Sequence, residues 1–404
     1  MRKLLSIIAV ITVLSFTTQA QWTSLSSGTT SDLTSVFFTD ANTGWVVGLD
    51  GTIKKTTNGG TTWTAQTSGT TVILNGVFFT SSTTGYVVGG AGLILKTING
   101  GTTWTTLTTG TTEAFRAIYF VDANTGYAVG GYNTGGIIYK TTNAGATWTA
   151  QTSNSTKWLN AVYFVDANTG YAVGGESTNG KVVKTTNGGT TWTLQTIPTS
   201  YALYSVYFSN ASTGIAVGNS GEILKTTNGG TTWTEQTSGT TGVLYGVHFV
   251  PKGSLTTGYA VGYNGGIRKT IDEGTTWTAQ TTGTTTMLKS VYFVQSGSTL
   301  TGYAVGEGGK ILKTTGTVGI EENKEASLFS VYPNPASDVL QLNINNDEEG
   351  LMLNIYNSMG QLVKTEVLKE NQKNISVSDL CNGMYIIELK SKKTSQKQNL
   401  MIQR

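Results

Sequence analysis

The chain is predicted to be all-β, a seven-bladed β-propeller closed by its own N-terminal strand and followed by a second, smaller β-domain. Three observations predict the propeller. Tryptophans stand at positions 22, 63, 104, 148, 192, 233 and 277, separated by 41 or 44 residues. Between them a Thr-Gly-x-x-Val-Gly segment returns, from Thr43, Thr84, Thr125, Thr169, Thr213, Thr257 and Thr301. A third segment, Lys-Thr-Thr-Asn-Gly-Gly-Thr-Thr-Trp, runs from Lys55 to Trp63. It recurs with small changes from Lys96, Lys140, Lys184, Lys225 and Lys269, and begins once more at Lys313. Self-similarity at a period of about 40 residues, with four short strands to a unit, marks a propeller blade.

The elements follow in order. Arg2 and Lys3 precede an apolar run from Leu4 to Phe16 and a small residue at Ala20, the pattern of a secretory signal peptide over residues 1–20. The run is too short to span a bilayer, which takes about 20 residues. The mature chain is expected to begin at Gln21, and the propeller to fill residues 21–316. In its first unit Leu33–Phe38, Gly44–Gly48, Thr52–Thr57 and Thr62–Thr67 read as strands, short, rich in Val, Phe and Thr, and separated by Gly or Asn turns. The seventh unit has three strands by Thr315 and lacks a fourth, whereas Trp22–Leu25 is a fourth strand without a blade. The N-terminal strand is therefore expected to complete blade seven and leave no open sheet edge. Residues 317–330 read as a polar, acidic linker, and Val339–Ile344 and Met352–Tyr356 as strands of a domain over residues 331–404.

Composition narrows the function. Charged residues are only 12% of the chain and apolar ones 38%, which excludes a solvated disordered tail. Four prolines among 404 residues exclude collagen and stiff linkers. A net charge of +3 gives no case for nucleic acid. The single Cys381 excludes an internal disulfide and a cysteine metal site, and the single His248 a multi-histidine zinc site; no cofactor or metal is expected.

The recurring turn resembles the Asp-box, Ser-x-Asp-x-Gly-x-Thr-Trp, of the BNR-repeat propellers. Thr56, Asn58, Gly60, Thr62 and Trp63 stand at its positions. Asn58, Asn99, Asn143, Asn187 and Asn228 replace the acid that Asp272 keeps. The side chain at this position suits bonds to nearby backbone N–H groups, Gly supplies positive φ, and Trp packs under the hairpin. The whole repeat is similar to the photosystem II assembly-factor type of propeller. Those factors use an arginine-rich patch; with only Arg116 and Arg268 here, that activity is not carried over.

The C-terminal region carries Tyr332-Pro333-Asn334-Pro335, then Gly360-Gln361-Leu362-Val363, then Leu380-Cys381-Asn382-Gly383-Met384-Tyr385. In this order the motifs resemble the type A sorting domain of type IX secretion, with Pro333, Asn334, Pro335, Gly360, Gly383 and Tyr385 at the motif positions. The resemblance implies a small β-sandwich that directs export across the outer membrane and is removed afterwards, with the secretion machinery as a partner.

Two hydrolase chemistries share the Asp-box. Sialidases clamp a carboxylate with three arginines, which two cannot do. Xyloglucanase-type hydrolases act through paired carboxylates, in a cleft between two propellers, where this chain has one. Asp40, Asp122 and Asp166 recur at one loop position and read as turn caps. His248 falls in register with Phe37, Phe78, Tyr119, Tyr163, Tyr207 and Tyr292 and reads as a packed ring. The recurring lysines read as scaffold, their stems over the sheet.

Function is expected where the repeat breaks. From Gly130 to Lys140 and from Gly174 to Lys184 the step is ten residues, against seven elsewhere, lengthening the second-to-third-strand loops of blades three and four. One position leading into the first strand varies: Thr34, Asn75, Arg116, Asn160, Tyr204, Tyr245 and Lys289. Trp158 stands outside the repeat positions. Arg116, Tyr132, Lys157, Trp158, Glu176, Tyr201, Tyr204 and Tyr245 are therefore the candidate ligand-binding residues on one face. Exposed aromatics among polar neighbours suit sugars or peptide segments. The expectation is a monomeric, non-catalytic, secreted or cell-surface propeller binding a glycan or protein partner. An Asp-box glycoside hydrolase and a structural surface protein without a specific ligand are the alternatives.

Overall fold

The computed structural model describes residues 22–132, 135–250, 256–317, 329–344, 351–357, 360–368, 374–390 and 395–404. The expected signal peptide, Gln21 and all of the expected linker except Thr317, Phe329 and Ser330 lie outside them. The chain divides into two compact units, Met1–Gly319 and Ile320–Arg404.

The first unit is a ring of seven four-stranded antiparallel sheets. Blade one comprises Leu33–Phe38, Gly44–Gly48, Ile53–Thr56 and Thr64–Gln66, from inner to outer strand. Inner strands of neighbouring blades touch all the way round, blade seven meeting blade one. Blade seven takes its outer strand from the other end of the chain: Thr23, Ser24 and Leu25 pair with Lys313, Leu312 and Ile311. Its third strand continues to Thr317, one residue beyond the expected end, because the second strand is longer too and Thr299 pairs with Thr317.

Aromatic layers hold the blades together. The second-strand aromatic of one blade stacks on the last inner-strand Phe of the next: Trp45 on Phe79 at 3.6 Å, Tyr127 on Phe164 at 4.0 Å, Tyr303 on Phe38 at 3.9 Å between ring centroids. The Asp-box Trp then meets that Phe edge-on, as Trp63 meets Phe38 at 6.0 Å. Each such pair contributes about 0.5–1.5 kcal/mol beyond its buried area. The recurring Gly of Thr-Gly-x-x-Val-Gly follows from this packing. A Cβ on Gly44 would lie 2.5 Å from the Phe38 ring, so no larger residue fits.

Along the axis the inner strands place Phe37, Phe78, Tyr119, Tyr163, Tyr207, His248 and Tyr292 in a closed collar, neighbouring centroids 4.7–5.3 Å apart. A seven-sided figure with sides of about 5 Å has corners about 6 Å from its centre, and ring thickness narrows this further. The collar thus narrows the channel along its axis.

The second unit pairs a three-stranded sheet (Phe329–Tyr332, Val339–Ile344, Asn374–Ser376) with a four-stranded one (Leu362–Val367, Met352–Asn357, Gly383–Lys390, Ser395–Ile402). Leu340 and Leu342 point inward between exposed Val339 and Gln341, the alternation of a half-buried strand. They share a core with Phe329, Leu353, Ile355, Ile387 and Leu389. The first strand begins at Phe329, two residues before the expected boundary, because Phe329 is a core side chain.

Candidate functional site

Each inner strand is bulged near its start: the register shifts between Leu33 and Ser35, Phe115 and Ala117, Leu203 and Ser205, and likewise in the other four blades. A bulge leaves one residue out of the ladder and re-aims its side chain. The seven bulged residues are the variable set of the sequence, Thr34, Asn75, Arg116, Asn160, Tyr204, Tyr245 and Lys289. Three of them brace the next blade. Thr34 Oγ1 donates to the Leu74 carbonyl at 2.6 Å, Asn75 Nδ2 to Phe115 at 2.8 Å and Asn160 Nδ2 to Leu203 at 2.8 Å. The other four make no such bond to a carbonyl of the next inner strand, and the candidate site forms around them.

Arg116 lies over the Trp158 ring, 4.9 Å from its centroid, and Tyr132 stacks nearly parallel to Trp158 at 5.9 Å and 10°. The blade-three loop brings Tyr132 there: Gly131 N–H donates to the Ala114 carbonyl, tying the loop to the segment that enters the inner strand. Tyr132 is 62% exposed, whereas Trp158 is half-buried rather than exposed as expected, because its neighbours cover it. Burial pulls the Arg116 guanidinium below its ordinary range, while Tyr204 and Tyr132 act the other way. An arginine stays charged regardless. Its Nε is enclosed and has no hydrogen-bond partner among the described residues.

The remaining expected residues group around this cluster. Lys157 and Glu176 form an ion pair at 2.7 Å. Glu176 ends the longer second strand of blade four, Gly170–Glu176, which turns directly into Asn179–Thr185. Tyr204 and Tyr245 touch at 5.1 Å. Tyr201 stands apart, 38% exposed beside the blade-four hairpin, where Gly180 N–H donates to the Ser200 carbonyl.

One constellation was not anticipated. Lys289 Nζ lies 3.0 Å from Asp32 and 3.8 Å from Glu307, so two carboxylates share one ammonium at the mouth. Burial works against ionisation of Asp32, but the Gly308 amide and Lys289 outweigh it and hold the carboxyl below its usual range. A general acid needs the opposite shift. The available signal was Lys289 at the variable position and two acids outside the recurring turns.

At the opposite end of the propeller the Asp-box turns are uniform. Asn58 Oδ1 accepts from Thr62 N–H at 2.9 Å and its Nδ2 donates to Thr62 Oγ1 at 2.9 Å, while Gly60, at φ +83°, donates its N–H to Thr56 Oγ1. Asn99, Asn143, Asn187 and Asn228 repeat the pattern, and Asp272 accepts from Thr275 N–H and Thr276 N–H. Asp40, Asp122 and Asp166 each accept two backbone N–H bonds within their turns. The lysines clamp blades: Lys96, Lys140, Lys184 and Lys313 donate to carbonyls in the neighbouring Asp-box turn at 2.6–2.7 Å, over the Tyr of their own second strand. Open depressions of about 640–790 Å³ recur beside the loops of blades one, five and seven. They follow the repeat, lined by equivalent residues in each of these blades, so they are scaffold. No group of three or more potential metal ligands gathers among the described residues.

In the second unit Asn334 bridges to the last strand, donating Nδ2–H to the Asn399 carbonyl and accepting from Met401 N–H, both at 2.9 Å. It lies between Pro333 and Pro335. Gly360 takes φ +78° in a turn closed onto Asn357, and Tyr385, two residues after Gly383, donates its hydroxyl to the Cys381 carbonyl.

Residues 330–403 match the secretion system C-terminal sorting domain, which marks the chain for type IX export to the cell surface or beyond. A beta-agarase A from Zobellia galactanivorans is 42% identical over 76 residues, 19% of this chain, and the chain spans only 14% of that enzyme. Solved structures of the same fold include YCF48 bound to D1 peptide, with 20% identity, a TM-score of 0.62, and coverage of 74% of this chain and 96% of that one. YCF48 from Cyanidioschyzon merolae gives 21% identity and 0.60, covering 73% and 99%. The WD40 propeller domain of Doa1 gives 14% and 0.57, covering 74% and 97%. The family model described as photosynthesis system II assembly factor YCF48 matches residues 14–162 and 153–238, more than half of the 404, and the chain belongs to that family of seven-bladed propellers.

Proposed function

We propose that the exported protein is a non-catalytic binding propeller that takes a glycan at the bulge-side mouth of its channel, across blades three to six. The observation that carries this reading is the Arg116–Trp158–Tyr132 cluster. It joins the bulged residue of blade three, the residue before the inner strand of blade four and the lengthened loop of blade three, and Tyr132 presents a largely uncovered ring. Scaffold positions recur because each blade solves the same packing problem; these do not, so packing alone does not require them. Saccharide C–H faces stack on such rings.

A protein partner is the second reading, favoured by the fold neighbour whose structure holds a peptide. A hydrolase reading would rest on Asp32 and Glu307, but both are tied to Lys289 and the Asp32 carboxyl is held ionised. An array of glycans and outer-surface proteins, probed with the full chain and with Trp158→Ala, tests the proposal. Saccharide binding weakened in the variant supports it. Binding only to proteins, or saccharide release of reducing ends, overturns it.

A further inference from the structure

We propose that the glycan is acidic, the Arg116 guanidinium meeting a carboxylate or sulfate on a sugar that stacks against Tyr132 and Trp158; this rests on the reading of the mouth as a glycan site. Charge complementarity carries the inference. The lysine beside this cluster and the lysine at the equivalent bulge position are already neutralised, Lys157 by Glu176 at 2.7 Å and Lys289 by Asp32 at 3.0 Å with Glu307 at 3.8 Å. Arg116 has no counter-ion among the described residues. Nor does it use its donors as its equivalents do, since Thr34, Asn75 and Asn160 spend theirs on the neighbouring blade's carbonyl.

A partly desolvated cation with an enclosed, unpartnered Nε is costly unless something completes it. Aromatic faces meet part of that need, and they also fix the guanidinium plane. What stays open to an oxyanion is the Nη end of the guanidinium, since the Nε is enclosed. A sugar suits the remainder of the site better than an acidic peptide. Beside the arginine lies a ring pair inclined by only 10°, with Tyr132 largely exposed, which is a stacking platform.

The test is an array of oligogalacturonate, oligoalginate, hyaluronate and carrageenan fragments, each beside its methyl-esterified or desulfated counterpart, with poly-glutamate as the acidic peptide. It is probed with the full chain and with Arg116→Gln, Arg116→Lys and Tyr132→Ala. The expected result is binding of at least one acidic saccharide, about tenfold or more tighter than its neutral counterpart. Arg116→Gln should weaken that binding about 10- to 100-fold, and binding of the neutral form by clearly less. Arg116→Lys, which keeps the charge without the fork, should retain part of the preference. Equal binding of acidic and neutral forms, or no effect of Arg116→Gln in a folded protein, overturns the charge assignment and leaves the glycan reading standing. Poly-glutamate bound as tightly as the saccharides overturns the sugar assignment. No saccharide bound at all overturns both this inference and the function it rests on.

Discussion

Deleting residues 22–30 removes the strand that closes the ring, and its cost follows from the structure. Trp22 is 3% exposed and sits edge-on to Tyr259 and Phe293, each at 6.1 Å, in the core between blades six and seven. Losing a buried aromatic of this kind costs about 3–5 kcal/mol. The deletion also strips three ladder partners from Ile311, Leu312 and Lys313 and the Gly28 carbonyl from Lys54 Nζ, so that figure is a floor. On a domain of this size it corresponds to a fall of about 6 °C or more in Tm. The third strand of blade seven would then be a free edge, open to pairing with another molecule. Thermal unfolding with size-exclusion chromatography reads both effects. Trp63→Ala, which removes an equivalent tryptophan without opening the ring, is the comparison. A deletion that melts no lower than Trp63→Ala and stays monomeric would refute closure as the source of stability.

Three further outcomes follow. His248 is the one titratable imidazole of the collar; burial pushes it down to about 3, against a weaker pull from the Phe249 backbone. The unfolded chain takes up the proton from its ordinary value of about 6.5, so stability should fall as pH drops below about 6.5, and His248→Phe should flatten that acid limb in pH-dependent melts. Lys140→Met deletes the 2.6 Å bond to the Gly188 carbonyl between blades three and four and should cost about 1–3 kcal/mol in urea unfolding without altering glycan binding. Removing Tyr332–Arg404 should leave the propeller inside the outer membrane, as fractionation and immunoblotting would show, because the sorting domain goes with it.

The repeat made the blades legible because each periodic residue has a local cause. In five of the seven blades Thr-Gly-x-x-Val-Gly predicts the second strand to the residue, since its Gly marks close approach to the inner-strand Phe and not a turn. The outer strand was expected over Thr62–Thr67 and spans only Thr64–Gln66, because Thr62 and Trp63 are spent on the Asp-box turn. In blades four and five it shrinks to two residues. At the mouth, the variable position was legible but its partners were not. Which side chain meets which depends on the bulges and on ring closure, as when Lys289 of blade seven reaches Asp32 at the start of blade one, 257 residues away along the chain. No spacing along the chain encodes that contact. The longer inner hairpin of blade seven, Leu288–Ser296 with Thr299–Gly306, also lies opposite the two loop breaks that drew attention.

Trp158 is the residue on which the functional reading turns, and its position changes what its removal should do. An exposed surface tryptophan would be replaceable within about 0.5 kcal/mol. Half-buried beneath the Arg116 guanidinium and parallel to Tyr132, it holds one cation–π contact and one ring pair. Those are worth about 0.5–1 and 0.5–1.5 kcal/mol, so Trp158→Ala should cost about 1–2 kcal/mol of stability. It is far from the 3–5 kcal/mol of a core tryptophan such as Trp22. Binding should suffer more, because the substitution removes a platform and also releases Arg116 from its bed; a loss of about 2–3 kcal/mol, roughly 30- to 150-fold in Kd, is expected for an anchor that positions a second one. Trp158→Phe keeps a ring under the guanidinium and should recover most of both losses. Paired denaturation and titration measurements on the two variants separate the roles. If Trp158→Ala loses stability on the core scale while its saccharide affinity is unchanged, Trp158 is packing for the blade-three loop and the mouth is not where the ligand binds.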